Sequence, residues 1–191
     1  LGQCSDEQRR ALEEITGEDF NPIPDFEIKP IEGPGQKWTL DSARRHTNFR
    51  QANFENGRSL YFAANCGKCH RFAGLGGNVG PDLTSIRNKF DVNYVIENII
   101  DPSKVISDQY QSSVVLTSDG RSLTGLVSEA DGKVVVYTAD VNAEPITLHS
   151  DDIEAIKESE VSLMPANLAR QLKNRKEFND LIKYIIEVRK R

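Results

Sequence analysis

Cys66-Gly67-Lys68-Cys69-His70 sets two thiols three positions apart, with a histidine directly after the second. Three chemistries use paired cysteines at this spacing. Structural zinc wants four protein donors, usually from a second Cys or His pair. The rest of the chain offers only Cys4, His46 and His149, each isolated. A thiol redox pair is expected at the start of a helix in a βαβ setting, and the surrounding pattern lacks that alternation. Covalent haem attachment needs two thiols that reach the two vinyl groups of one porphyrin, and a histidine that binds the iron from the same side. Cys-x-x-Cys-His meets that need. The reading is therefore one covalently bound haem c, attached through Cys66 and Cys69, with His70 as the proximal iron ligand.

The other face of the iron points to Met164, the single methionine of the chain, in Ser162-Leu163-Met164-Pro165. A lone methionine is usually core filler, yet this one stands in a polar turn beside a proline, outside any helical apolar stripe. A thioether opposite histidine raises the reduction potential, so Met164 is expected as the distal ligand. His149 is the rival, but it follows an expected strand and suits solvent or the sheet surface. His46 lies in the run Arg44-Arg45-His46, which reads as a solvated basic patch. A ligating imidazole also needs its second nitrogen held. The Gly80-Pro81 step is the candidate, with the Pro81 carbonyl accepting the His70 N–H.

Outward from this centre the periodicity assigns the scaffold. Asn53 to Asn65 reads as a helix with Phe54, Leu60, Tyr61 and Ala64 on one face. A glycine-rich loop, Gly74 to Gly80, follows the pentapeptide. Another helix is expected from about Asp91 to Ile100, stopped by Asp101-Pro102. From Gln111 the period changes to two: Asp119-Gly120 and Asp131-Gly132 mark hairpin turns. Pro145 to Leu148 and Ile153 to Ile156 supply two further strands. The result is an antiparallel β unit of about 45 residues, with a small barrel among its forms. Helix returns at Glu177 to Val188, with Phe178, Leu181, Ile182, Ile185 and Ile186 aligned.

Residues 1–50 read differently. Ser5 and Gln8 form a capping-box pattern before a short acidic helix that Gly17 ends. Pro22, Pro24, Pro30 and Pro34 then keep the chain extended, and Trp38, the single tryptophan, is expected to pin this wrapping segment to the body. The fold class is α+β: a mainly helical domain over 51–191, with an antiparallel module at 111–157 between the third expected helix and the Met164 loop.

Composition narrows the functions. With 191 residues and a net charge of −5, the chain lacks the basic excess of a nucleic-acid binder. No apolar run approaches a membrane span. The chain starts at Leu1 and reads as a mature or excised fragment. Three cysteines are too few for a disulfide framework, and Cys4 reads as a free thiol in a frayed tail, lipid attachment or pairing with another chain being the alternatives. Asp119, Asp131, Asp140, Asp151 and Asp152 lack the spacing of a calcium loop and read as solvated turns.

The pieces together resemble class I cytochromes c. The likeness lies in Gly57 and Tyr61/Phe62 before Cys66, in Cys66 to His70, in Gly80-Pro81-Asp82-Leu83, in Met164-Pro165, and in a last helix bearing Leu181 and Tyr184. The resemblance implies that the helix around Gly57 crosses the last helix, with Tyr184 packed at the crossing. A fuller likeness is to the haem-binding domain at the C-terminal ends of large secreted dehydrogenase-like proteins of planctomycete-type bacteria. It covers about Asn53 to Val188 and rests on Cys-x-x-Cys-His-Arg-Phe, Gly-Pro-Asp-Leu-Thr, Ile-x-Asp-Pro-Ser, Ser-Asp-Gly-Arg-x-Leu-x-Gly and Ser-Leu-Met-Pro. It implies the β insertion and an exported electron-transfer module.

The expected function is single-electron transfer without substrate chemistry on the protein, so a carrier rather than an enzyme. Its partners would be an exported dehydrogenase, an oxidase or another cytochrome, and its location periplasmic or otherwise outside the cytoplasm. The rival is a haem enzyme or gas sensor with a displaceable sixth ligand. A third reading gives the β module a docking role.

Overall fold

The computed structural model describes residues 26–45, 47–140 and 143–187. The expectations for Cys4, the N-terminal helix, Pro22, Pro24, His46 and Val188 lie outside the described residues.

Among the described residues six α-helices and seven strands follow in order, with three short 3-10 turns between them. Helix α1 (Leu40–Arg44) is a single turn fixed by a capping box, in which Thr39 and Ser42 exchange backbone-to-hydroxyl bonds of 3.0 and 3.1 Å. Helix α2 (Phe54–Ala63) starts at Asn53, whose side chain accepts from the Asn56 N–H. It stops where Asn65 turns left-handed at φ 66°, a conformation asparagine tolerates better than most residues. Helix α3 (Cys66–Cys69) is one turn long. A two-residue hairpin, β1 (Arg71–Phe72) and β2 (Leu75–Gly76), closes over Ala73 and Gly74, both at positive φ. Helix α4 (Ile86–Lys89) and the Asp91-capped helix α5 (Val92–Ile100) follow. Helix α6 (Arg175–Ile186) begins two residues before the expected start because Asn174, not a later residue, caps it.

Between α5 and α6 lies a five-stranded antiparallel sheet: β3 (Ser113–Thr117), β4 (Ser122–Ala130), β5 (Lys133–Tyr137), β6 (Ile146–His149) and β7 (Ile153–Glu158). The order across it is β6-β5-β4-β3-β7. Strand β4 is long enough to serve two neighbours. Up to Gly125 it pairs with β3, and from Leu126 it pairs with β5. The Asp131-Gly132 pair, both at positive φ, makes the tight turn its sequence signals. β6 and β7 are edges that do not pair with each other, so the sheet is open and not a closed barrel. It has its own small core of Val115, Val134, Val136 and Leu148.

The larger core forms where α2 crosses α6. A methyl group on Gly57 would sit 2.0 Å from the Asp180 carbonyl oxygen and 2.9 Å from Tyr184 Cβ, so only glycine allows this approach. Tyr184 packs against Phe54, Tyr61 and Phe72 at centroid separations of 5.0, 5.4 and 4.5 Å. Tyr61, not Phe62, takes the crossing position; Phe62 turns toward Phe26 and Gly67. Trp38 is buried and stacked on Phe178 at 4.4 Å. Gly57→Ala is expected to destabilise the fold by about 1–3 kcal/mol, the usual cost of forcing volume into a packed contact. Denaturant unfolding reads this directly, and an unchanged midpoint would mean that α2 and α6 do not meet so closely.

Candidate functional site

The pentapeptide begins at the left-handed Asn65, which turns the chain out of α2 and into α3. One helical turn brings Cys66 and Cys69 to the same side. Both are free thiols, half-buried. Burial pushes the Cys66 thiol up to about 12 and raises Cys69, against an opposing pull from Lys68. His70 leaves the turn in extended backbone.

Its ring is held from two directions. Nδ1 donates to the Pro81 carbonyl at 2.9 Å, which leaves Nε2 with its lone pair for a ligand. Burial lowers the imidazole pKa, and the Pro81 bond offsets this in part. The loop that delivers Pro81 comes very close to the ring: a methyl group on Gly80 would stand 2.7 Å from it. Gly80 N–H donates to the Cys69 carbonyl at 2.8 Å, and Gly77 N–H to the Gly67 carbonyl at 2.9 Å. From behind, the buried Tyr61 hydroxyl donates to the His70 carbonyl at 2.8 Å; desolvation keeps that phenol protonated.

Cys66, Cys69, His70, Pro81 and Met164 all line one cavity of about 780 Å³. Met164 is half-buried, and its N–H donates to Ser162 Oγ at 3.1 Å. The walls are mainly apolar, with Ile86, Phe90, Val95, Ile99, Leu163 and Ile185 among them, within the usual range of about 300–1,000 Å³ for a cofactor site. His149, by contrast, is exposed at the end of β6 and lies off the cavity. A second, more open hollow of about 540 Å³, lined by Arg45, Asn48, Arg175 and Lys176, holds none of the candidate haem-attaching or iron-ligating residues.

The donor set decides what can bind. Among the described residues no three His, Cys, Asp or Glu side chains gather as a metal site. One free imidazole nitrogen, one thioether and two thiols in an apolar cavity suit a macrocycle that brings its own four nitrogens. The residues fit a haem.

Residues 54–112 match the family model for cytochrome c. A cytochrome c domain binds covalently attached haem c, typically one, and the matched span contains the whole pentapeptide and Pro81. It ends one residue before β3 starts, so the sheet and Met164 lie beyond it. No curated protein matches the chain. No helix among the described residues is long and apolar enough to cross a membrane.

Sequence reasoning missed some of the cavity wall. Leu126 of β4 and Ala139, just after β5, both line it. The available signal was Leu126 itself, a large apolar residue on a strand face otherwise made of Ser122, Thr124, Ser128 and Ala130.

Proposed function

We propose that this chain is a monohaem electron carrier in which Cys66 and Cys69 attach the haem, His70 binds the iron on one face and Met164 on the other. The observation that carries the reading is that Met164, 94 positions beyond His70 (164 − 70), lines the same apolar cavity as Cys66, Cys69 and His70. Bound haem c supplies a one-electron Fe(III)/Fe(II) couple. The chain's own residues do the rest. The Pro81 carbonyl fixes the His70 tautomer and ring orientation, and thereby its basicity as a ligand. Tyr61 anchors the His70 backbone. The Met164 thioether would favour the reduced state of a bound haem, and with His70 and Met164 both holding the iron the site would be closed to substrate. The apolar walls exclude water.

The domain reading assigns 51–191 to the cytochrome c domain, with 111–157 as its β insertion, and leaves 1–50 as a wrapping segment. Covalent attachment implies assembly outside the cytoplasm, and the likeness to the haem-binding domain of large exported dehydrogenase-like proteins makes a dehydrogenase the partner of first choice.

Potentiometric titration of the purified protein tests the proposal. The expected result is a reversible single-electron wave and a reduced form that binds CO poorly. Rapid, tight CO binding by the reduced wild type would overturn stable methionine ligation and favour a gas sensor or haem enzyme.

A further inference from the structure

The β sheet has a core of its own and could stand as an independent module, yet one of its strands turns a hydrophobic side chain away from that core. Along β4 the odd-numbered Leu123 and Val127 pack into the sheet's core with Val115, Val134 and Val136. The even-numbered face carries Ser122, Thr124, Leu126, Ser128 and Ala130. Three of these are polar and suit water. Leu126 is half-buried, belongs to neither hydrophobic core among the described residues, and lines the cavity that holds His70 and Met164.

Its position is set by the strand exchange. Gly125 is the last residue of β4 paired with β3, and Leu126 the first paired with β5, opposite Tyr137. A methyl group on Gly125 would fall 2.4 Å from the Tyr137 carbonyl oxygen, so the backbone closes tightly just where Leu126 projects. The sheet is also tied to the Met164 segment. Strand β7 ends at Glu158, paired with Ser113 at the start of β3. The fully buried Ser112 donates its hydroxyl to the Val161 carbonyl at 2.9 Å. The Ser162 N–H donates to Ser103 Oγ at 3.1 Å. The module is thereby held against the cavity and is not hung from it by a free linker.

We infer that the β module is a wall of the haem cavity, and that Leu126 is a positioning residue that excludes water from it and so sets the redox equilibrium. The inference rests on the haem reading above. Its physical basis is charge: the oxidised centre carries one more positive charge than the reduced one, and water solvates the more charged state better than hydrocarbon does. A leucine in the wall therefore favours the reduced form, and a polar residue there admits water and favours the oxidised one.

The experiment is potentiometry of holo-protein carrying Leu126→Ser, Leu126→Met or Ser128→Ala. Leu126→Ser is expected to shift the redox equilibrium about tenfold toward the oxidised state, a fall of about 59 mV for one electron. Leu126→Met conserves volume and apolarity and stays within twofold of the wild type. So does Ser128→Ala, on the same strand face but off the cavity. A folded Leu126→Ser protein with the wild-type potential overturns the inference, as does an equal shift in Ser128→Ala. Where Leu126→Ser fails to fold, Leu126→Ala is measured, with about a threefold shift expected and no shift contradicting. A wild type without covalent haem would remove the proposed function itself, whereas an unmoved potential in a haem-loaded variant removes only this role of Leu126.

Discussion

Replacing Met164 by alanine is expected to convert a closed haem site into an open one. The variant should bind CO in the reduced state on the order of 100-fold more tightly than the wild type, and its midpoint potential should fall by about 60 mV or more, at least tenfold in the redox equilibrium. Met164 sits in the same cavity as His70, and it is the one methionine in the chain. No other thioether can replace it. The exposed His149 lies off the cavity at the end of β6, so it cannot take over without a rearrangement of the sheet edge. CO titration and potentiometry of the same sample separate the two effects. A variant with the wild-type spectrum, potential and CO response would show that another group binds the iron.

The second large effect concerns the scaffold. Asp180 is completely buried at the α2–α6 crossing, where its carboxylate accepts the Asn53 N–H at 2.7 Å, the Asn56 side-chain amide at 2.7 Å and Lys176 Nζ at 2.8 Å. These bonds fasten the first turn of α2 to α6, and through α2 they hold the turn that leads into Cys66. Asp180→Ala removes the buried acceptor of three bonds whose donors, on Asn53, Asn56 and Lys176, reach toward solvent, and should cost about 2–3 kcal/mol. At about 2–4 °C per kcal/mol for a chain of this size, the melting temperature should drop by about 4–12 °C. Asp180→Asn keeps one acceptor oxygen and should lose clearly less. Calorimetry of the three proteins reads the difference, and equal stability in all three would mean that the network contributes nothing net.

These two sites differ in how visibly the sequence announced them. Met164 stood out because a lone methionine in a polar turn has no packing explanation, and Pro81 because a Gly-Pro step at that distance from Cys-x-x-Cys-His has a chemical one. Both line the cavity, and the Pro81 carbonyl accepts from His70 Nδ1 at 2.9 Å. Helices α2, α5 and α6 were legible because their apolar faces repeat over several turns. Helix α1 was not: five residues are too few for a period, and only the Thr39/Ser42 exchange marks it. The strands and their turns were readable from alternation and from Asp-Gly pairs, but the openness of the sheet was not, since it depends on which edges find partners. Asp180 was hidden for a related reason. A single aspartate on a helix reads as surface charge, and its burial follows from the close crossing that Gly57 permits. Leu126 and Ala139 were hidden because cavity walls are assembled across the chain, and a two-residue period records only which side of a strand a residue takes, not what faces it.

The most direct test of the haem assignment is a pyridine-haemochrome spectrum of the protein made in an exporting host that carries out covalent haem attachment, recorded after acid–acetone extraction. The expected result is one haem per chain that stays with the polypeptide and gives the spectrum of a porphyrin with both vinyl groups saturated, lost when Cys66 and Cys69 are both changed to serine. Haem that extracts into the solvent, or a protein with no haem at all, would contradict it.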